Sequence, residues 1–488
     1  KLIAIALCLL ALSSAKVWNP HMHDDKLFET AENSNVFWYE QRLDHFNPQK
    51  EGTFQQRYYD IDQYWDPETG PLFLYICGEG TCRQPADNSF VVNLAKKFNG
   101  RVLALEHRFY GETQPTEDWS TENLQFLTPD QGLADLAQFA TDKSREFTEQ
   151  HGIPFRRWIT VGGSYPGAMS AWFRAKYPHI AFASLASSAV VNAIKDYHQY
   201  DGQIYKSTLK SGEWCPNKYI ELIKAFEQAF DEGKADEVFS KIGFRPGDVT
   251  PLDFLGFLGN FPAGAVQYGS RRALCSQISE AGDNLDDYIN FIRNALNSHN
   301  LKIDDFFVGD STSHTLDPYA NMRQWTYQIC SNLGYFQTYS RDTPAMRSEQ
   351  INLDFWRDQC SKEFGVDIFP DTDHWNELYG GKDLVSSRII FTNGGEDPWQ
   401  HASVTETDNP TYHTFVIDCD DCAHCVDLYG DKPTDAPEIT EARSQIADIL
   451  EDWIAHELEL EGVVFSTFLE HEAKYPTESK AALREFAK

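Results

Sequence analysis

The sequence predicts an α/β fold, a mostly parallel sheet that carries a helix-rich insertion. Three observations support this. Short β-branched or apolar runs bounded by turn residues occur at 57–61, 71–76, 101–106, 157–161, 182–187, 388–392 and 412–417. Helical patterns lie between several of them, and strands alternating with helices indicate parallel order. The inner runs are continuously apolar rather than alternating, as expected for strands covered on both faces.

The elements follow in order. After the third run, a Thr-Pro-Asp start opens a helical pattern over 130–150. Residues 191–380 change character and become helix-rich, with Ile220, Ile223, Phe226 and Phe230 at helical spacing over 218–231. Loops are expected there at Arg245-Pro246-Gly247 and at Phe261-Pro262-Ala263-Gly264. Strand-like runs resume near Arg388, and 438–458 reads as a long amphipathic helix packed on the main domain. The expected division is a signal segment (1–15), a main domain (16–190 and 381–488) and a helical cap (191–380).

Composition narrows the class. The 488 residues are 41% hydrophobic and 24% charged, a globular balance with ample apolar material for a core. The 74 Asp and Glu against 42 Lys and Arg give a net charge of -32. Such a surface repels phosphate backbones and anionic lipid, so nucleic acid is excluded as a partner. The pI near 4.8 means that self-repulsion is smallest in an acidic compartment.

Lys1 precedes an apolar run over 2–12 and then Ser13-Ser14-Ala15. A basic start, a short apolar core and small residues before the cut read as a secretory signal cleaved after Ala15. The run is too short to span a bilayer, so no membrane anchor is expected. The expected location is secreted, or the lumen of a lysosome or vacuole. Ten cysteines less Cys8 in the signal leave nine, an odd number that mostly pairs in an oxidising compartment. Cys419, Cys422 and Cys425 form a C-x2-C-x2-C run, but a metal site needs a fourth ligand, so disulfide use is preferred over metal. Cys215 and Cys275 are further disulfide candidates. His21-Met22-His23 has no nearby carboxylate partner and no H-E-x-x-H occurs, so no metal or other cofactor is expected.

The chemistry concentrates in three places. The run over 157–161 leads into Gly162-Gly163-Ser164-Tyr165-Pro166-Gly167 and a helical pattern over 168–177. Strand, tight turn and helix form the context of a nucleophile elbow, which lifts a serine hydroxyl above the sheet with a helix N-terminus beneath the developing oxyanion. Pro166 replaces the second glycine of G-x-S-x-G, and proline suits the first turn of a helix. After the 388–392 run comes Asn393-Gly394-Gly395-Glu396-Asp397-Pro398-Trp399, which leaves either Glu396 or Asp397 as the acid. After the 412–417 run comes Cys422-Ala423-His424. The order Ser, acid, His and the placement beyond strand ends fit a triad of Ser164, one carboxylate of the Glu396–Asp397 pair, and His424.

With these motifs on the page, the chain resembles the serine peptidase family of lysosomal Pro-Xaa carboxypeptidase, dipeptidyl peptidase II and thymus-specific serine protease. The resemblance rests on Gly163-Ser164-Tyr165 with Ser170-Ala171-Trp172, Glu106-His107-Arg108-Phe109-Tyr110-Gly111, Asn393-Gly394 with Asp397-Pro398-Trp399, and Ala423-His424 with Asp427-Leu428. Gln41-Arg42-Leu43-Asp44-His45-Phe46, Gln328 with Cys330, and Gly334-Tyr335-Phe336 followed by Gln337-Thr338 add to it. The details around Ser164 and Gly334 are most like the thymus-specific branch.

The resemblance implies an α/β-hydrolase sheet with an inserted helical cap, Asp397 rather than Glu396 as the acid, and cleavage after proline near a peptide end. Cys330 and Cys360 look like a bridge within the cap. Three positions depart from the family pattern: Ala168 where two branches carry Met, Asn332 where relatives usually have Glu, and Cys425 in place of a second histidine.

The oxyanion hole is expected from the N–H of Tyr165 and of Gly80 in the loop after the 71–76 run. Trp399 is the candidate wall of a proline pocket, and Glu106 with Arg108 is expected as a structural ion pair. The resulting expectation is a serine exopeptidase acting on peptides, by carboxypeptidase or dipeptidyl peptidase action. The sequence leaves homodimer formation open. The competitors are an esterase or lipase on the same fold and a binding protein with a decayed site.

Overall fold

A computed structural model describes residues 35–245, 247, 249–298, 314–319 and 321–474. The expected signal segment, the His21–His23 pair and Pro246 lie outside the described residues. An eight-stranded sheet forms the frame, in the order β1-β2-β4-β3-β5-β6-β9-β10. Its strands are β1 (Val36–Arg42), β2 (Thr53–Ile61), β3 (Leu72–Ile76), β4 (Arg101–Leu105), β5 (Trp158–Gly163), β6 (Ala181–Ser187), β9 (Ile389–Gly394) and β10 (Tyr412–Ile417). β1–β2 and β2–β4 pair antiparallel, and every other pairing is parallel. This is the α/β-hydrolase order.

Continuous apolarity in the inner strands has the expected cause. Along β3, Leu72, Leu74 and Ile76 join one core, while Phe73 and Tyr75 join the core on the opposite face. The first core is covered by α3 (Pro129–His151) and α4 (Tyr165–Lys176), which come after α2 (Thr121–Leu124) in the chain. The second is covered by α1 (Phe90–Phe98) and the long C-terminal α14 (Pro437–Lys474), through Val91, Leu94, Ile446, Leu450 and Ile454. With both faces occupied, no position along β3 faces water.

The order also positions the site. From β3 the chain crosses one way to β4, and from the adjacent β5 it crosses the other way to β6. The loops leaving the C-terminal ends of β3 and β5 therefore diverge and open a crevice between them, where ligands bind in such sheets. The loop after β3 contains Gly80 and is closed by the Cys77–Cys82 disulfide.

Between β6 and β9 lie β7 (Ile194–Asp196), helices α5 (His198–Leu209), α6 (Trp214–Asp231), α7 (Ala235–Ile242), α8 (Pro251–Gln267), α9 (Arg271–Ser279), α10 (Leu285–Ser298) and α11 (Met322–Gln328), then β8 (Gly334–Phe336), α12 (Leu353–Phe364) and α13 (Thr372–Tyr379). Phe226, Phe230, Phe239 and Phe254 meet edge to face or tilted in the core of this region. Cys215–Cys275 ties α6 to α9, and Cys330–Cys360 ties the wide turn 329–333 to α12. Cys419–Cys422 forms a further bridge, and Cys425 is the cysteine outside a disulfide among the described residues.

Two expectations fail. Phe261-Pro262-Ala263-Gly264 is not a loop but the interior of α8. Proline removes the bond to the carbonyl four residues back. Here Leu258 O accepts instead from Tyr219 Oη at 3.0 Å, so the helix loses no partner for that oxygen. Glu106 and Arg108 do not pair with each other. Glu106 binds Arg57 at 2.5 Å, and Arg108 binds Asp135 at 2.6 Å.

Candidate active site

The elbow is built from tight backbone approaches. Ser164 sits between β5 and α4 at φ 66°, ψ −128°, a region costly for a residue with a Cβ. Its N–H donates to Ser187 O at 2.9 Å, tying the turn to β6. A Cβ on Gly162 would stand 2.2 Å from Pro166 O, so only glycine lets α4 turn back this sharply. The departure at Pro166 is met from elsewhere: a Cβ on Gly78, in the loop after β3, would be 2.3 Å from the proline ring. The ring thus fills space that glycine vacates on a neighbouring loop.

Asp397 and His424 follow β9 and β10, the second and third strands beyond β5 in the sheet. Asp397 follows β9, and its Oδ1 accepts the Trp399 N–H at 2.9 Å, which fixes the rotamer. Its Oδ2 lies 2.9 Å from His424 Nδ1, and both side chains are buried. That contact makes Nδ1 the protonated nitrogen and Nε2 the basic one. Burial lowers the His424 pKa, but the charge and hydrogen bond of Asp397, with a contribution from Cys425, outweigh it and raise the pKa well above the ordinary imidazole value. Glu396 points elsewhere, toward Arg271 Nη2 at 2.8 Å. The acid facing the histidine is Asp397.

The serine and histidine loops touch through their neighbours. A Cβ on Gly163 would be 2.7 Å from Cys425 Sγ, so the residue before Ser164 packs on the residue after His424. Cys425 N–H donates to Ser188 Oγ at 2.9 Å, and Ser188 N–H to Thr392 O at 2.7 Å, which links the ends of β6, β9 and the histidine loop. Cys425 takes a left-handed φ of 54° at the turn that presents His424.

Trp399 stands beside His424, with ring centroids 6.2 Å apart. Tyr197, Tyr200 and Tyr335 surround its indole at 5.6, 5.1 and 5.7 Å. Tyr165 places its N–H at the first position of α4, while its phenol is buried and accepts from Gln328 Nε2 at 2.9 Å. Ala168 is fully buried in α4, so the departure there leaves a smaller side chain inside the elbow helix.

Several contributors escape sequence reasoning. Arg271 and Gln267 reach the loops that carry Asp397 and His424, Gln328 (singled out in the sequence without a role) reaches the Tyr165 phenol, and Ser187 binds Asp427 at 2.5 Å from the other side. Their partners lie 125, 132, 163 and 240 residues away in sequence, and no local pattern encodes such pairings. Among the described residues no helix is long and apolar enough to cross a membrane.

Comparison with known proteins finds relatives described as serine proteases. Residues 41–446 match the family model described as serine carboxypeptidase S28. The chain is 37% identical over 408 residues to the probable serine protease EDA2 of Arabidopsis thaliana, covering 81% of each chain. It is 29% identical over 463 residues to the thymus-specific serine protease of Homo sapiens, covering 88% of this chain and 89% of that one. It is 26% identical over 459 residues to the lysosomal Pro-X carboxypeptidase of Homo sapiens, covering 87% and 89%.

Proposed function

This chain belongs to the serine carboxypeptidase S28 family and is a serine-type peptidase, and from that premise we propose that it is an exopeptidase cutting after proline or a small residue near a chain end, through a Ser164–His424–Asp397 triad. The observation that carries the reading is the buried 2.9 Å contact between Asp397 and His424 beside the elbow of Ser164. Ser164 Oγ attacks the scissile carbonyl while His424 Nε2 takes its proton. The tetrahedral oxyanion is held by the N–H groups of Tyr165 and Gly80. His424 then gives the proton to the leaving amine, and Asp397 stabilises the imidazolium in between. Water, deprotonated by His424, cleaves the acyl-enzyme and restores the serine.

The aromatic group around Trp399, beside His424, is the candidate apolar wall for a pyrrolidine ring. The cap of residues 191–380, carried by a main domain of 16–190 and 381–488, limits access for long folded chains. Disulfides at four places support an oxidising location, either secreted or in a lysosomal or vacuolar lumen.

The test is mass spectrometry of products from short peptides with a scanned proline, free or blocked at each end, with acyl esters in parallel. Release from the carboxyl end after proline is expected. Release from the amino end alone would overturn the carboxypeptidase direction, and turnover of esters without any peptide would overturn the peptidase substrate.

A further inference from the structure

The junction between α8 and α9 binds both loops that carry the acid and the base. His424 N–H donates to Gln267 O at 3.0 Å. Gln267 Oε1 accepts from Trp399 Nε1 at 2.9 Å and from Tyr200 Oη at 2.7 Å. Four residues on, Arg271 is 2% exposed and grips Glu396 through Nε at 3.1 Å and Nη2 at 2.8 Å. The same Nη2 reaches Asp420 at 2.6 Å, in the loop leading to His424, and Nη1 reaches Ser211 at 2.8 Å. Glu396 closes the link by accepting the Asp421 N–H at 3.2 Å and donating its own N–H to Cys422 O at 2.9 Å. One guanidinium therefore spans the residue before Asp397 and a residue four before His424.

A buried Arg–Glu pair is an expensive way to gain stability, since desolvating both charges offsets most of their attraction. An apolar pair would hold the insertion down equally well. What a planar fork adds is geometry: two carboxylates on separate loops held at fixed distance and angle. Catalysis is sensitive to that, because a displacement of about 1 Å costs roughly a hundredfold in rate.

We propose that Arg271 is a positioning residue, supplied by the insertion, that holds the Asp397 and His424 loops in catalytic register through its paired contacts to Glu396 and Asp420. The proposal rests on the triad reading above. It assigns the insertion a part in the chemistry as well as in access to the cleft.

The test compares the wild type with Arg271→Lys and with the double variant Arg271→Met plus Glu396→Gln, which removes both buried charges together. Peptide kcat and KM, the rate of fluorophosphonate labelling at Ser164, and Tm are measured on the full chain. Lysine keeps the charge but has no fork, so kcat and labelling fall about tenfold with KM within about threefold. The double variant keeps a Tm within a few degrees of wild type, while kcat falls about a hundredfold. Wild-type kcat and labelling in either variant would overturn the proposal, as would a loss confined to KM or losses tracking the unfolded fraction. Absence of labelling at Ser164 in the wild type would instead defeat the triad reading itself.

Discussion

The two sides of the candidate site are built on different principles. On the nucleophile side, backbone shape does the positioning: Ser164 stands at φ 66° between a strand and a helix that only Gly162 allows to come so close. On the acid–base side, side chains do it. Asp397 is oriented by Trp399 N–H, Glu396 by Arg271, and His424 by Asp397 and by the carbonyl of Gln267. The first side is local in sequence and tolerates little change of volume. The second depends on partners in the insertion and tolerates little change of hydrogen bonding. Together they explain how a rigid sheet rim can share one site with a large helical region packed on the same core.

The largest effects come from the reacting groups, and they test whether both sides serve one reaction. Ser164→Ala should lower kcat by about a millionfold with Tm unchanged or raised, since it removes the proposed nucleophile and leaves the elbow intact. Activity assays and a thermal melt check this. Retention of peptidase activity would separate the elbow from the chemistry.

Asp397→Asn should lower kcat/KM by about ten-thousandfold and shift the pH profile. In the wild type Asp397 holds the His424 pKa above the ordinary value against the opposing effect of burial. The basic imidazole then dominates only above that raised pKa, so kcat/KM should climb through a limb above pH ~6.5. With the carboxylate gone, burial prevails and the residual limb moves to lower pH. Stability carries the matching sign. A raised folded pKa stabilises fully below the unfolded value near ~6.5, and the gain fades as pH rises through the folded pKa. The Tm gap between wild type and variant should therefore be widest between about pH 5 and 6.5 and narrow above. A gap that widens with pH would contradict the Asp397–His424 assignment. The wild-type limb also bears on location, since a limb above neutrality suits secretion better than an acidic lumen.

An intermediate effect tests the backbone side alone. Gly162→Ala puts a methyl 2.2 Å from Pro166 O, a main-chain atom that cannot rotate away. It should cost about 3 kcal/mol of stability, read by urea unfolding. Full stability would mean that α4 is free to retreat, and the comparison would lose its rigid half.

Legibility in the sequence follows the same division. The inner parallel strands were readable because each is buried on both faces, and the elbow because strand, turn and helix are contiguous. The edge strand β1 was not identified as a strand, since its outer half is exposed and polar residues interrupt its pattern. Pro262 misdirected the reading because the hydroxyl that replaces its hydrogen bond belongs to Tyr219, on another helix. The placement of Glu106 apart from Arg108 depended on Arg57 and Asp135, each far away in the chain. Order and strand-end position singled out Ser164, His424 and the Glu396–Asp397 pair, the resemblance chose Asp397, and the Asp397–His424 contact is the one the structure forms, whereas Arg271 and Gln267 carry no local mark of their partners.

The smallest effect sharpens the boundary between the two sides. Tyr165 belongs to the backbone side, yet its phenol accepts from Gln328 in the insertion and lies 3.1 Å from His107 Nε2. His107 Nδ1 is 2.8 Å from Arg108 O, so Nδ1 carries the proton and Nε2 accepts from the phenol. Burial pushes the His107 pKa down to about 4, which keeps the ring neutral and the hydrogen bond in this direction. Tyr165→Phe leaves a buried donor on Gln328 and a buried acceptor on His107 without this partner, and should cost about 2 kcal/mol in urea unfolding. The Tyr165 N–H, proposed for the oxyanion hole, is retained, so kcat should stay within about fivefold of wild type. A hundredfold loss of kcat at unchanged Tm would mean that the insertion steers the nucleophile as well as the acid and base, and the division between the two sides would fall.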